Sequence, residues 1–210
     1  MAKQPSANPT YKLTYFSIKG LGETLRILFA YGGIKYEDVR IEEKDWPALK
    51  PTMPMGVVPV MDIDDIRVHQ SLAMNRYIAK KVGLAGSNDW ENLLIDIAVD
   101  TVNDFNSKLA GAYYEPNEAV KQKKLAELKE DVIPFYLGKL DVIAKENNGY
   151  LALGRFTLAD VFFFVIEDYL RFVMGSDIVE NYPNLKNVIT NTASVPSIKV
   201  WLDKRPVTDY

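Results

Sequence analysis

GVVPVMDIDDIRVHQSLAMNRY, residues 56–77, decides the fold: a strand, a proline, a second strand and a helix start follow one another within one short stretch. The apolar run around Val57, Val58, Val60 and Met61 reads as a strand. Ile63, Ile66 and Val68, past the acidic turn Asp62/Asp64/Asp65, read as its hairpin partner. Pro59 interrupts the first strand. Having no N–H, it suits a strand's first residue, an edge or a cis bond, and each of these leaves the Val58 backbone able to pair with an extended peptide. Gln70-Ser71 then opens a helical pattern in which Leu72, Tyr77 and Ile78 face the core while Asn75, Arg76, Lys80 and Lys81 face water. The first N–H groups of that helix lack internal partners and carry partial positive charge, so together with the Ser71 hydroxyl they suit a carboxylate. Ser71 acting only as an N-cap is the alternative.

Upstream, a strand at 12–16, an amphipathic helix at 23–31 carrying Leu25, Ile27, Leu28 and Phe29, and a strand near 36–40 form a βαβ unit. The 57–68 hairpin adds antiparallel strands to that parallel pair, which is the arrangement of a thioredoxin-like sheet. The turn-rich segment 83–88, GLAGSN, reads as a hinge, and no strand pattern returns after it. The expected fold class is therefore α/β followed by all-α, with an N-terminal thioredoxin-like domain over 10–86 and an all-helical domain over 89–210. Trp90, Leu94, Ile97, Thr101, Phe105 and Leu109 recur at three- and four-residue steps as one face of a long helix. Thr157-Leu158-Ala159-Asp160 resembles a capping box before the apolar run 161–166, so Thr157 and Asp160 read as folding residues.

Composition removes several kinds of chemistry. With 48% hydrophobic residues in 210, the chain can bury a sizeable core. Zero cysteines exclude disulfides, thiolate metal sites and a cysteine nucleophile, and a single histidine excludes a multi-histidine metal site. A net charge of −3 with interspersed signs argues against a nucleic-acid surface. MAKQPSANPT lacks the apolar core of a signal sequence, and no apolar run reaches bilayer length, so a cytosolic protein with a frayed amino terminus and no membrane partner is expected. His69 reads as a hairpin-exit residue. It cannot form a triad with Ser71, because close neighbours along an extended strand do not converge on one reacting atom.

The quoted window, YKLTYF at 11–16, EKDWPALKP at 43–51, SLAMNRYIAKKVGLAG at 71–86, VDTVNDF at 99–105, FTLAD at 156–160 and WLDKRPVT at 201–208 together resemble the cytosolic glutathione transferases, sigma class, and the arthropod members most. The haematopoietic prostaglandin D synthases are related to that class. The resemblance covers nearly the whole chain and implies glutathione as co-substrate, with no permanently bound cofactor. It implies that Tyr15 activates the thiol, that Trp46 and Lys50 hold the glycyl end, that the Val58 backbone before Pro59 pairs with the cysteinyl unit, and that Gln70 and Ser71 take the γ-glutamyl end. Asp104, in the stripe Asp96/Asp100/Asp104, would reach across a homodimer interface to the peptide's amino group. Spacing alone leaves that stripe open to a solvated-face reading.

Activating a thiol means stabilising its anion. A free thiol titrates near 8.5, and lowering that by roughly two units takes about 2.7 kcal/mol, within reach of a hydroxyl donor and a helix N-terminus. Phe16, Ile18, Phe162 and Ile166 are the expected walls for an apolar electrophile, with core packing the alternative for the last two. Asn103 stands where some vertebrate relatives carry a third acid, so metal activation is not expected. Leu21 stands where prostaglandin-isomerising relatives carry an arginine, which favours conjugation or peroxide reduction of lipid products over isomerisation. A non-catalytic relative, like the lens crystallins of this class, is the remaining alternative.

Overall fold

The protein is described from a computed structural model over residues 3–210. It divides into two compact units: residues up to Gly83 together with Ser197–Tyr210, and Leu84–Pro196.

In the first unit, β1 (Tyr11–Phe16), α1 (Glu23–Tyr31), β2 (Glu37–Ile41), the short α2 (Trp46–Leu49), β3 (Val60–Ile63), β4 (Ile66–His69) and α3 (Ser71–Lys81) follow in order. The sheet order is β2-β1-β3-β4. β1 and β2 run parallel, while β3 is antiparallel to both β1 and β4. The expected thioredoxin-like βαβ–ββα layout is thus present. One boundary moves: β3 begins at Val60, not at Val57, because Pro59 offers the ladder no donor; the Val58–Pro59 bond is cis. Leu25, Ile27, Leu28 and Phe29 of α1 are fully buried, each contributing roughly 1.5–3 kcal/mol of apolar burial.

Helix α3 turns a different face inward than its sequence suggests. Met74, Asn75, Ile78 and Ala79 are buried, so Asn75 is not a solvent residue. Residues at i, i+1, i+4 and i+5 make one stripe, and α3 packs that stripe against α1.

Of the expected frayed amino terminus, residues 1–2 lie outside the described residues. From there on the chain is fastened: the Ser6 and Thr10 N–H groups donate to the Asp64 carboxylate, and Lys3 pairs with Asp65. Ser197–Tyr210 also packs with the first unit, although the sequence grouped it with the helical domain 89–210. The physical reason is Glu23, buried at the start of α1, whose carboxylate accepts from Trp201 Nε1 at 2.8 Å and from Arg205 at 3.0 Å.

The second unit contains α4 (Asp89–Tyr113), α5 (Glu118–Glu127), α6 (Ile133–Glu146), α7 (Leu158–Met174) and α8 (Pro183–Ser194); α9 (Pro196–Lys204) belongs, from Ser197 on, to the segment just described. α7 is its core, with Phe162 and Phe163 among the largest fully buried side chains. The capping box is formed: Thr157 and Asp160 bond reciprocally, and Asp160 also accepts the Leu151 N–H at 2.8 Å.

Helix α4 splits the face expected for it. Phe105 and Leu109 join Ile95, Ala98 and Val102 in the core, whereas Trp90 and Ile97 are exposed together with Leu93. Each four-residue step advances the side chain by about 40° beyond a full turn, so a stripe read over many steps drifts from the outer face to the inner one. No helix among the described residues is long and apolar enough to cross a membrane.

Candidate active site

The sheet register gathers the candidate residues at one edge. Thr14, Val60 and His69 are aligned across β1, β3 and β4. One residue further toward that edge stand Tyr15, Pro59 and Gln70. β2, parallel to β1, ends at Ile41 on the same side and leads to Trp46 and Lys50. Carboxyl ends of parallel strands and the loops beyond them are where α/β sheets bind ligands.

Tyr15 is buried, at 7% exposure. Its hydroxyl oxygen accepts the Leu21 N–H at 3.2 Å, which leaves the phenolic proton free to donate elsewhere. Burial pushes the Tyr15 pKa above its ordinary value of 10, outweighing the opposing pull of the Leu21 N–H and of Arg26, whose guanidinium carbon lies 5.9 Å from the ring centroid. Tyr15 is therefore a neutral donor at physiological pH, not a base. Two glycines make room for it. A Cβ on Gly20, where φ is +40°, would fall 2.6 Å from the Tyr15 oxygen, and one on Gly22 would fall 2.7 Å from ring atom Cδ1.

The sequence did not single out Arg26, yet it holds the loop after β1. Its side chain is fully buried, donates to the carbonyls of Ile18 (2.7 Å), Lys19 and Phe16, and pairs with Glu23 and Asp38. The available signal was a charge between Leu25 and Ile27 on an otherwise apolar helix: such a residue is tolerated inside only when fully paired.

Around this loop, Phe16, Trp46, Leu49 and Val58 pack on a small core of Ile41, Met53 and Val60. The Phe16 and Trp46 ring centroids are 5.2 Å apart. Lys50 is exposed beside Gly56, and Ile18 is half-buried in the loop. Gln70 adopts φ +77°, a conformation rare for a side chain this size, and occupies the cap position of α3 without a capping bond; Ser71 is the first helical residue. Ser71 as an N-cap is thus corrected. Strain of the kind at Gln70 concentrates at functional sites.

In the second unit, Asp104 and Asp100 are exposed on α4 and Asp96 is half-buried. Among the described residues no group of three or more His, Cys, Asp or Glu side chains could hold a metal. Phe162 and Ile166 are 2% and 3% exposed and pack the core of the unit, the alternative the sequence left open for them. A reactant needs surface, and a hydrophobic run on the central helix of a unit provides none. An aromatic cluster outside that run is less buried: Tyr113, at the end of α4, meets Tyr114, Tyr169 and Phe172 at 4.9, 6.0 and 5.5 Å between centroids. Aromatic pairs at the ends of two neighbouring helices were the legible sign.

Family comparison identifies the class of protein that carries this fold. Residues 11–80 match the glutathione S-transferase N-terminal domain and residues 103–205 the glutathione S-transferase C-terminal domain. The chain belongs to the glutathione S-transferase family and is an enzyme of that kind. It is 54% identical to a glutathione S-transferase of Anopheles gambiae over 96% of this chain and 99% of that protein. It is 52% identical to glutathione S-transferase S1 of Drosophila melanogaster, covering 95% of this chain and 80% of that one. Among solved structures, prostaglandin synthase D of Nilaparvata lugens superposes with a TM-score of 0.92 at 43% identity, over 95% of this chain and all of that chain.

Proposed function

We propose that this glutathione transferase is a sigma-class enzyme of the cytosol in which Tyr15 donates a hydrogen bond to glutathione's sulfur, holding it as the thiolate that attacks apolar electrophiles. The observation that carries this is the Tyr15 hydroxyl itself: buried, kept protonated, and bonded on its acceptor side by Leu21, it has one proton left to give. The thiol proton goes to solvent, and the new S–C bond forms as a leaving group departs or as a conjugated double bond takes up a proton.

The edge shared by Tyr15, Pro59 and Gln70 supports the rest of the peptide site. Trp46 and Lys50 take the glycyl carboxylate, the Val58 backbone pairs with the cysteinyl unit, and Gln70 and Ser71 hold the γ-glutamyl end at the N-terminus of α3. Phe16 and Ile18 meet the electrophile, which includes lipid-peroxidation products and hydroperoxides.

The working form is a homodimer in which Asp104 serves the neighbouring chain's glutathione. By helical geometry Trp90, Leu93, Ile97 and Asp104 fall within about 60° of arc on α4, so the carboxylate shares an apolar face that has no covering partner within its own helix.

A second reading, glutathione-dependent isomerisation of a lipid endoperoxide, rests on the likeness to the Nilaparvata protein. A panel of aryl halides, unsaturated aldehydes, hydroperoxides and a prostaglandin endoperoxide, each assayed with glutathione, separates the two. Conjugation of the first two classes is expected; turnover of the endoperoxide alone would reverse the assignment.

A further inference from the structure

Tyr15 depends on a loop, and the loop depends on residues far along the chain. The Leu21 N–H that engages the Tyr15 hydroxyl belongs to a 3-10 turn, Gly20–Gly22, closing the segment between β1 and α1. That segment is held at three carbonyls by the Arg26 guanidinium, most closely at Ile18, 2.7 Å. Arg26 is aimed by two carboxylates, Glu23 at 3.3 Å and Asp38 at 3.2 Å. Glu23 is aimed from outside its own neighbourhood: Trp201 Nε1 and Arg205 donate to its Oε1, leaving Oε2 for Arg26. The same distant segment touches the loop once more, where the Lys19 N–H donates to the Tyr210 main-chain oxygen at 2.6 Å.

We propose that Trp201 and Arg205 are positioning residues for thiol activation: through Glu23 and Arg26 they fix the 17–21 loop, and with it the direction in which Tyr15 donates its proton.

The physical reason lies in how a buried ion pair behaves when one side is weakened. Glu23 and Arg26 are 1% and 0% exposed. With both outer donors present, Glu23 divides its two oxygens and Arg26 keeps its remaining N–H groups for the loop carbonyls. Without them Glu23 has one cation to satisfy two oxygens, and a buried carboxylate short of donors draws that cation inward. The Ile18 carbonyl then loses its partner, the loop relaxes, and the Leu21 N–H no longer sets the orientation of the phenol. A hydrogen bond to sulfur weakens steeply with angle, so a small rotation of the hydroxyl costs thiolate while leaving the carboxylate contacts of the peptide untouched.

This rests on the reading of Tyr15 as the thiol's donor, and the test keeps the two apart. Trp201→Phe keeps an aromatic ring, though a smaller one, and removes the N–H; Arg205→Met removes the cation, and Arg205→Lys restores one. For each variant and for Tyr15→Phe, the pKa of bound glutathione is followed by thiolate absorbance, alongside glutathione affinity and turnover against pH. Trp201→Phe and Arg205→Met should raise the bound thiol's pKa by about half a unit to one unit and cut the rate below that pKa about three- to tenfold. Higher pH should recover the rate, affinity should stay within about twofold, and Arg205→Lys should recover most of the shift. An unchanged thiol pKa in both variants, with only a lower melting temperature, would overturn the proposal while Tyr15→Phe still shifts it. No shift in Tyr15→Phe either would overturn the reading beneath it as well. The mild Trp201→Phe and Arg205→Lys changes keep the test open if Arg205→Met does not fold.

Discussion

The Tyr15 hydroxyl receives a backbone N–H and its ring is walled by two glycines, which holds the phenol in place and leaves its own proton to give. The sequence located it through its place at the end of β1 and through family likeness, but could not show the Leu21 contact, because that contact is made by a backbone group and leaves no side-chain signature. Arg26 escaped for the opposite reason: its side chain is conspicuous, yet its partners are three carbonyls and two carboxylates that only the folded loop brings together. At Ser71 the structure separates two roles that the sequence left joined. Gln70 holds the cap position and no side chain caps α3, so Ser71→Ala should leave stability nearly unchanged. It should instead weaken glutathione binding by about 1.5–3 kcal/mol, the worth of a hydrogen bond to a carboxylate. Calorimetry of binding beside thermal unfolding reads both; equal affinity with a lower melting temperature would reinstate the capping role.

Elements were legible where periodicity and punctuation agreed, as in the βαβ unit and the Thr157–Asp160 box. They failed where an apolar residue serves no core. Val57 and Val58 look like strand yet precede it, since Pro59 delays the ladder to Val60. The outer stripe of α4 looked continuous with its core stripe for the drift described above. The box also carries a pH signature. Burial pushes Asp160 up to about 6 from 3.8, against the pull of the Leu151 and Thr157 donors. A folded-state pKa above the unfolded one stabilises the fold fully below about pH 4, and that contribution is lost as pH rises through about 6, roughly 3 kcal/mol in all. Wild-type unfolding free energy should therefore decline between pH 4 and 7 relative to Asp160→Asn, which has nothing to titrate there. The same pH dependence of unfolding free energy in both proteins, from denaturant titrations at each pH, would contradict this.

At the scale of the whole molecule, the proposed homodimer would tie assembly to activity through the exposed Trp90, Leu93 and Ile97 on the face of α4 that carries Asp104. Ile97→Asp should yield monomers with little conjugating activity, whereas Asp104→Asn should sediment as a dimer with weakened glutathione binding. A fully active monomer at assay concentration would return the aspartate stripe to a solvated face. The central claim is narrower and can be tested without reference to assembly: the Tyr15 hydroxyl lowers the pKa of bound glutathione. Titrating the thiolate absorbance of the binary complex in wild type and Tyr15→Phe tests it most directly. The account predicts a pKa at least about one unit higher in the variant, a rate lower by about tenfold or more, and nearly equal affinity. The same pKa in both proteins would contradict it.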